Sequence, residues 1–115
     1  MPFDSSGLTV RSQLHNSTLP AANTDLLGAA VGPTAATSGA VNFKVYVCCS
    51  IAGNLILRRT RSAVTVSEQI AALTANVVSI IDNIPVDQGE TINLQLSTTT
   101  GTMLKLMLIE NPFAE

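Results

Sequence analysis

After residue 40 the hydrophobic positions fall on every second residue, the period of a strand with one buried face. Val41, Phe43, Val45 and Val47 alternate with Asn42, Lys44 and Tyr46. Ser50 to Asn54 reads as a turn with Gly53-Asn54 at its tip, and Leu55 to Arg61 as the return strand of a hairpin. Ile84-Pro85-Val86 leads into the turn Asp87-Gln88-Gly89-Glu90, where Gly89 supplies a positive φ. Thr91 to Ser97 alternates again, with Ile92, Leu94 and Leu96 inward. Thr98 to Gly101 is expected to close another hairpin onto Thr102–Glu110, where the alternation puts Leu104, Leu106 and Leu108 on one face.

One stretch satisfies two periods. Ile70, Leu73, Val77, Val78 and Ile81 stand at helical spacing, and Thr65-Val66-Ser67-Glu68 has the form of a capping box. The β-branched run Val77 to Ile81 and the hairpins on either side argue for strands. The preferred reading is a strand at 63–68, a loop through Thr74 and a strand at 76–84, with a short helix over 68–73 as the alternative.

Residues 1–40 differ in character from residues 41–115. Ser5-Ser6-Gly7, Ala21 to Thr24 and Gly32 to Ala40 are small, uncharged and punctuated by Gly and Pro, and two short apolar pieces lie between them, residues 7–10 and 26–31. This segment is expected to be an extended arm carrying one or two strands, added to its own sheet or to a neighbour's. Phe3, Leu8 and Val10 are its candidate partner contacts. Residues 41–115 would form the β-domain. Six to eight short strands joined by turns predict an all-β, antiparallel sandwich or jelly roll.

Composition sharpens this picture. The 115 residues suit one domain; 46% are hydrophobic, only 12% are charged and 3% are aromatic, with no Trp. That is too apolar for disorder and too poor in ions for a coiled coil. A net charge of −2 argues against a nucleic-acid partner, which needs phosphate-neutralising cations. No run approaches a membrane span, and Met1 to Ser6 lacks the basic and apolar regions of a secretory leader. A surface so short of ions is expected to be covered in part by other subunits, since charges are depleted in buried interfaces.

Candidate chemistry is sparse. His15 is the only histidine and lies in the arm; Cys48 and Cys49 are adjacent and read as free thiols, one of them in the core. Together they supply neither a zinc site nor a recognisable nucleophile signature, and no cofactor is expected. Asp82, Asp87 and Glu90 form one acidic group that could hold Ca²⁺, although their spacing matches no EF-hand. In Arg58-Arg59-Thr60-Arg61, Arg59 and Arg61 share a strand face and Arg58 points the other way. These arginines could sit on a solvated edge, pair with Asp82, Asp87 or Glu90 across a subunit boundary, or bind an anion.

The course from residue 76 to 110 carries a resemblance. A strand leads to Val86-Asp87-Gln88-Gly89-Glu90-Thr91-Ile92, and a Thr/Gly connection then leads to a last Leu-alternating strand. It resembles the C-terminal half of small jelly rolls of the tumour-necrosis-factor-like kind and of compact virion decoration or spike proteins. The resemblance implies a trimer with the last strand near its axis, so Ile92, Leu94, Leu104, Leu106 and Leu108 become candidate interface residues. It also implies a non-enzymatic structural role on a virus particle, as a decoration protein bound to the major capsid protein or another virion protein. A spike or tail module that binds a receptor or carbohydrate is the alternative.

Overall fold

The computed structural model describes residues 9–33, 41–98 and 100–111. Seven strands are present: β1 (Thr9–Thr18), β2 (Val41–Cys49), β3 (Gly53–Arg61), β4 (Val64–Leu73), β5 (Ser79–Val86), β6 (Glu90–Leu96) and β7 (Thr102–Asn111). They form two antiparallel sheets, one in the order β1-β7-β2-β5 and one in the order β4-β3-β6. The sheets enclose a core of Leu, Val and Ile with Phe43 and Met103 fully buried. β2 alternates buried and half-buried residues from end to end, as its sequence pattern requires.

The second sheet has an incomplete fourth member. Residues 23–31 run antiparallel along the free edge of β6, where the amides of Asn23, Leu26 and Val31 donate to the carbonyls of Leu96, Leu94 and Ile92. Leu26, Leu27 and Val31 bury their side chains in the core, so this strip satisfies the β6 edge and adds apolar mass. β1 meanwhile pairs with β7 at the edge of the first sheet. Residues 9–33 thus add to the chain's own two sheets, one of the two courses open to the N-terminal segment. Phe3 and Leu8 lie outside the described residues, and Val10 is an exposed residue of β1.

With that strip counted, the partners nest. β3 pairs with β4, β2 with β5, residues 23–31 with β6, and β1 with β7. The chain is one long antiparallel ribbon, doubled back at Ser62-Ala63 and rolled so that alternate segments lie in opposite sheets. That connectivity is a jelly roll.

The rolling corrects two expected hairpins. The connections at Ser50–Ala52, Asp87–Gly89 and Ser97–Gly101 each pass from one sheet to the other, so β3 is not the return strand of β2, and β6 does not pair with β7. Alternation reports which face of a strand is buried and is silent on which neighbour it pairs with. The true hairpin is β3–β4, and its two-residue turn, Ser62 (φ 51°) and Ala63 (φ 66°), has no glycine to mark it. Gly53 and Asn54 open β3 and form no tip, whereas Gly89 has φ 88° as its turn demands.

The helix considered over 68–73 and the loop through Thr74 are also corrected. β4 is continuous to Leu73, and a bulge at Ile70, where the register to β3 slips, produces the local departure from period two.

Candidate functional site

Two bulges, one where β7 meets β2 and one in β1, decide which side chains turn inward. Between Cys48 and Cys49 the register of β2 against β7 skips Leu104, so Met103 takes the buried position and Leu104 leaves the face of Leu106 and Leu108. The expectation of a shared face for all three is therefore corrected. Ile92, Leu94, Leu106 and Leu108 are each 0% exposed within a single chain. They are the sandwich's own core and are not available as a surface between subunits, because the rolled ribbon covers both inner faces.

The second bulge places Arg11 opposite no residue of β7. Its guanidinium turns to the inward-facing Glu110, which is 1% exposed, and donates at 2.6 Å to Glu110 Oε1 and at 2.6 Å to the carbonyl of Gly32. One arginine thereby ties β1, β7 and the strip beside β6 at the same end of the sandwich. Sequence reading missed this pair, since the residues are 99 positions apart and nothing in the local pattern around Arg11 marks a bulge.

At that end the basic run of β3 also finds its partners. Arg59 donates to Glu90 Oε1 at 3.1 Å and to the carbonyl of Pro85 at 2.6 Å, and its Nε lies 3.8 Å from Glu68. Arg61 reaches Asp87 at 3.4 Å and Glu90 at 3.8 Å. The amide of Asp87 donates to Glu90 at 2.9 Å, which together with Arg59 holds the Glu90 carboxyl below the usual glutamate range. Arg58 points to the opposite face, as strand alternation requires, and donates to Ser67 Oγ at 2.8 Å. The ion pairs of Arg59 and Arg61 with Asp87 and Glu90 close within one chain. Arg58 has no part in them. Asp82 stands apart on β5, 3.9 Å from Lys44, so the acidic group foreseen for Ca²⁺ is not assembled. Among the described residues no group of three His, Cys, Asp or Glu is placed to hold a metal ion.

His15 and Cys48 lie on the first sheet in one row with Lys105 between them, each paired to it by register. Lys105 Nζ is 3.3 Å from His15 Nε2, and no hydrogen bond joins Cys48 to His15. Cys49 is fully buried and burial pushes its thiol up, away from the reactive thiolate. Both cysteines are free.

Elsewhere the surface is open at several places, two of which involve the second sheet. A groove of about 450 Å³ lies on the outer face of the second sheet, under the strip beside β6, and is lined among others by Asp25, Leu27, Arg58, Thr60 and Asn93. Asn93 is buried and committed: its Oδ1 accepts from the amide of Leu27 at 3.1 Å and its Nδ2 donates to the carbonyl of Leu27. No aromatic ring lines the groove, so it has no stacking platform for a sugar.

The other surface is the outer edge of β4. No described strand pairs with it, residues 64–69 are exposed on both faces, and Val64 and Val66 are 65% and 54% exposed. Glu68 is the only charge in β4.

No family model, no curated protein and no solved structure matches this chain.

Proposed function

We propose that this chain is a non-enzymatic structural subunit that associates with copies of itself on the surface of a virus particle, where it bridges and stabilises the shell. The observation that carries the reading is the long, nearly uncharged edge of β4 on a jelly roll with only 12% charged residues. Natural sheets blunt such an edge with lysine, proline or a covering loop when it is meant to stay single. β5, the other edge strand on this side, is treated in that way: it carries Pro85, the charged Asp82 and a bulge at Asn83 with φ 57°. β4 has none of these over residues 64–67.

The lack of assembled chemistry supports the same reading. His15, Cys48, Cys49 and the carboxylates form no nucleophile–base pair among the described residues. The jelly roll is used by viral capsid domains, although the same fold also serves lectins and cupins, so this support is by analogy. Leu106 and Leu108 are covered within one chain and offer no contact to a three-fold axis along the last strand.

Sedimentation velocity at micromolar concentration tests the self-association, and a purely monomeric species of 12.0 kDa overturns it. The virion assignment has its own test. An antiserum raised against the chain should label particles banded on a density gradient from cultures that make the protein. A signal confined to the soluble fractions would refute that part alone.

A further inference from the structure

We propose that two copies of this chain join edge to edge through β4, antiparallel about a two-fold axis that passes at Val66. The inference rests on the self-association proposed above and adds its geometry. An edge strand has unpaired backbone amides and carbonyls, and a second copy of the same strand is the simplest complement for them. A two-fold axis perpendicular to the sheet makes the strands antiparallel and keeps the faces of both sheets in common.

That symmetry limits the register. Directly opposed residues must share a face, so the axis has to fall on a residue. The bulge at Ile70 ends the regular edge, which leaves residues 64–69 for pairing. Axes at Val66 and at Ser67 each use five residues of that stretch, and the one at Val66 brings both exposed valines, Val64 and Val66, into the pairing. Val66 then faces its own copy, Thr65 faces Ser67 and Val64 faces Glu68.

Charge agrees with this choice. Val64 pairs with Arg61 across the β3–β4 hairpin, and the Arg61 side chain is 57% exposed. The incoming Glu68 lies beside Val64, one strand further out on the same face. Its stem covers the exposed valine while its carboxylate extends toward Arg61. The two copies of Glu68 stay at opposite ends of the paired stretch, so no like charges meet. Val64 and Val66 are covered, and Glu68, which lies 3.8 Å from Arg59 of its own chain, gains a second cation.

The test uses the full chain. Sedimentation equilibrium should give a dimer. Val66→Lys puts two ammonium groups face to face at the axis and should raise the dimer dissociation constant at least about tenfold, whereas Val66→Thr, a comparable strand former, should retain the dimer. Far-UV circular dichroism confirms that both variants are folded. In a chain carrying Cys48→Ser, Val66→Cys should cross-link to its own copy under mild oxidation, since directly opposed Cβ atoms lie about 4.5–5.5 Å apart. Ser62→Cys, which does not meet itself in this register, should remain uncross-linked. A dimer that survives Val66→Lys and shows no cross-link at residue 66 overturns the edge pairing while leaving self-association through another surface. A monomer at about 100 μM overturns both.

Discussion

The turn between β3 and β4 offers a substitution whose sign can be worked out in advance. Ala63 has φ 66° and Ser62 has φ 51°, the two positive values of a type I′ hairpin turn. For a residue with a Cβ, this left-handed region costs roughly 1–2 kcal/mol, and glycine escapes the cost. Against that, glycine gives the unfolded chain more freedom, which costs about 0.4–1 kcal/mol on folding. The strain outweighs the entropy, so Ala63→Gly should stabilise the protein by about 0.5–1 kcal/mol. In a domain of this size that raises Tm by about 2–4 °C. Ala72 provides the control. It is exposed in β4 opposite Asn54, in extended backbone where no strain is relieved. Ala72→Gly should therefore destabilise by about 0.5–1 kcal/mol. Urea unfolding followed by circular dichroism measures both, with unchanged slopes showing that unfolding exposes the same surface in each variant. If both substitutions destabilise equally, the left-handed turn is wrong and so is the centre of the ribbon.

Three further outcomes follow from the end of the sandwich where charges gather. Arg11→Leu should cost about 3 kcal/mol, because it removes the ion pair of a carboxylate that is 1% exposed. Arg11→Leu combined with Glu110→Leu should cost less than the single change; urea denaturation compares them. Glu90 has a depressed folded-state pKa, held down by the Asp87 amide and Arg59. Its contribution is present above the unfolded pKa and lost as pH falls through the folded one. Below about pH 5 the parent should therefore lose stability more steeply than Glu90→Gln, and parallel thermal melts would contradict this. Gly32→Ala should cost about 1–3 kcal/mol, since the new methyl carbon would stand 2.9 Å from the Glu90 carbonyl oxygen. A neutral result would mean that residues 23–33 do not lie against β6.

How much of this was legible in the residues depends on the range of the signal. Strand identity was legible, because Val41 to Val47 bury alternate residues and Ile92, Leu94 and Leu96 enter the core at the same period, although the strip beside β6 covers Asn93 and Gln95 as well. The opposite faces of Arg59 and Arg58 follow from the same period. Pairing was not legible. A Gly/Asp turn such as Asp87–Gly89 serves an arch between sheets as readily as a hairpin, and the real hairpin turn carries Ser62-Ala63 in place of the usual Asn-Gly. Bulges were invisible as well. At Leu104 one extra residue exchanged the faces of Met103 and Leu104, and at Arg11 another turned a cation inward to Glu110. The candidate interface leucines failed for a related reason: alternation marks a buried face, and it does not say whether the cover belongs to the same chain or to another.

The nested pairing has a kinetic consequence that returns to the first substitution. Closing β1 on β7 directly joins residues nearly a whole chain apart, and each inner pair, once formed, shortens the loop that the next must close. The least costly order runs outward from β3–β4, through β2 with β5, to the strip with β6 and finally β1 with β7. The Ser62-Ala63 turn then belongs to the earliest structure. Ala63→Gly should place most of its gain in a faster folding rate, with the unfolding rate almost unchanged. Gly32→Ala, acting on an outer pair, should leave folding nearly as fast and speed unfolding. Stopped-flow chevrons of the two variants separate these cases, provided each stability change exceeds about 0.6 kcal/mol. If Ala63→Gly slows unfolding and leaves folding unmoved, the ribbon does not zip from its tip.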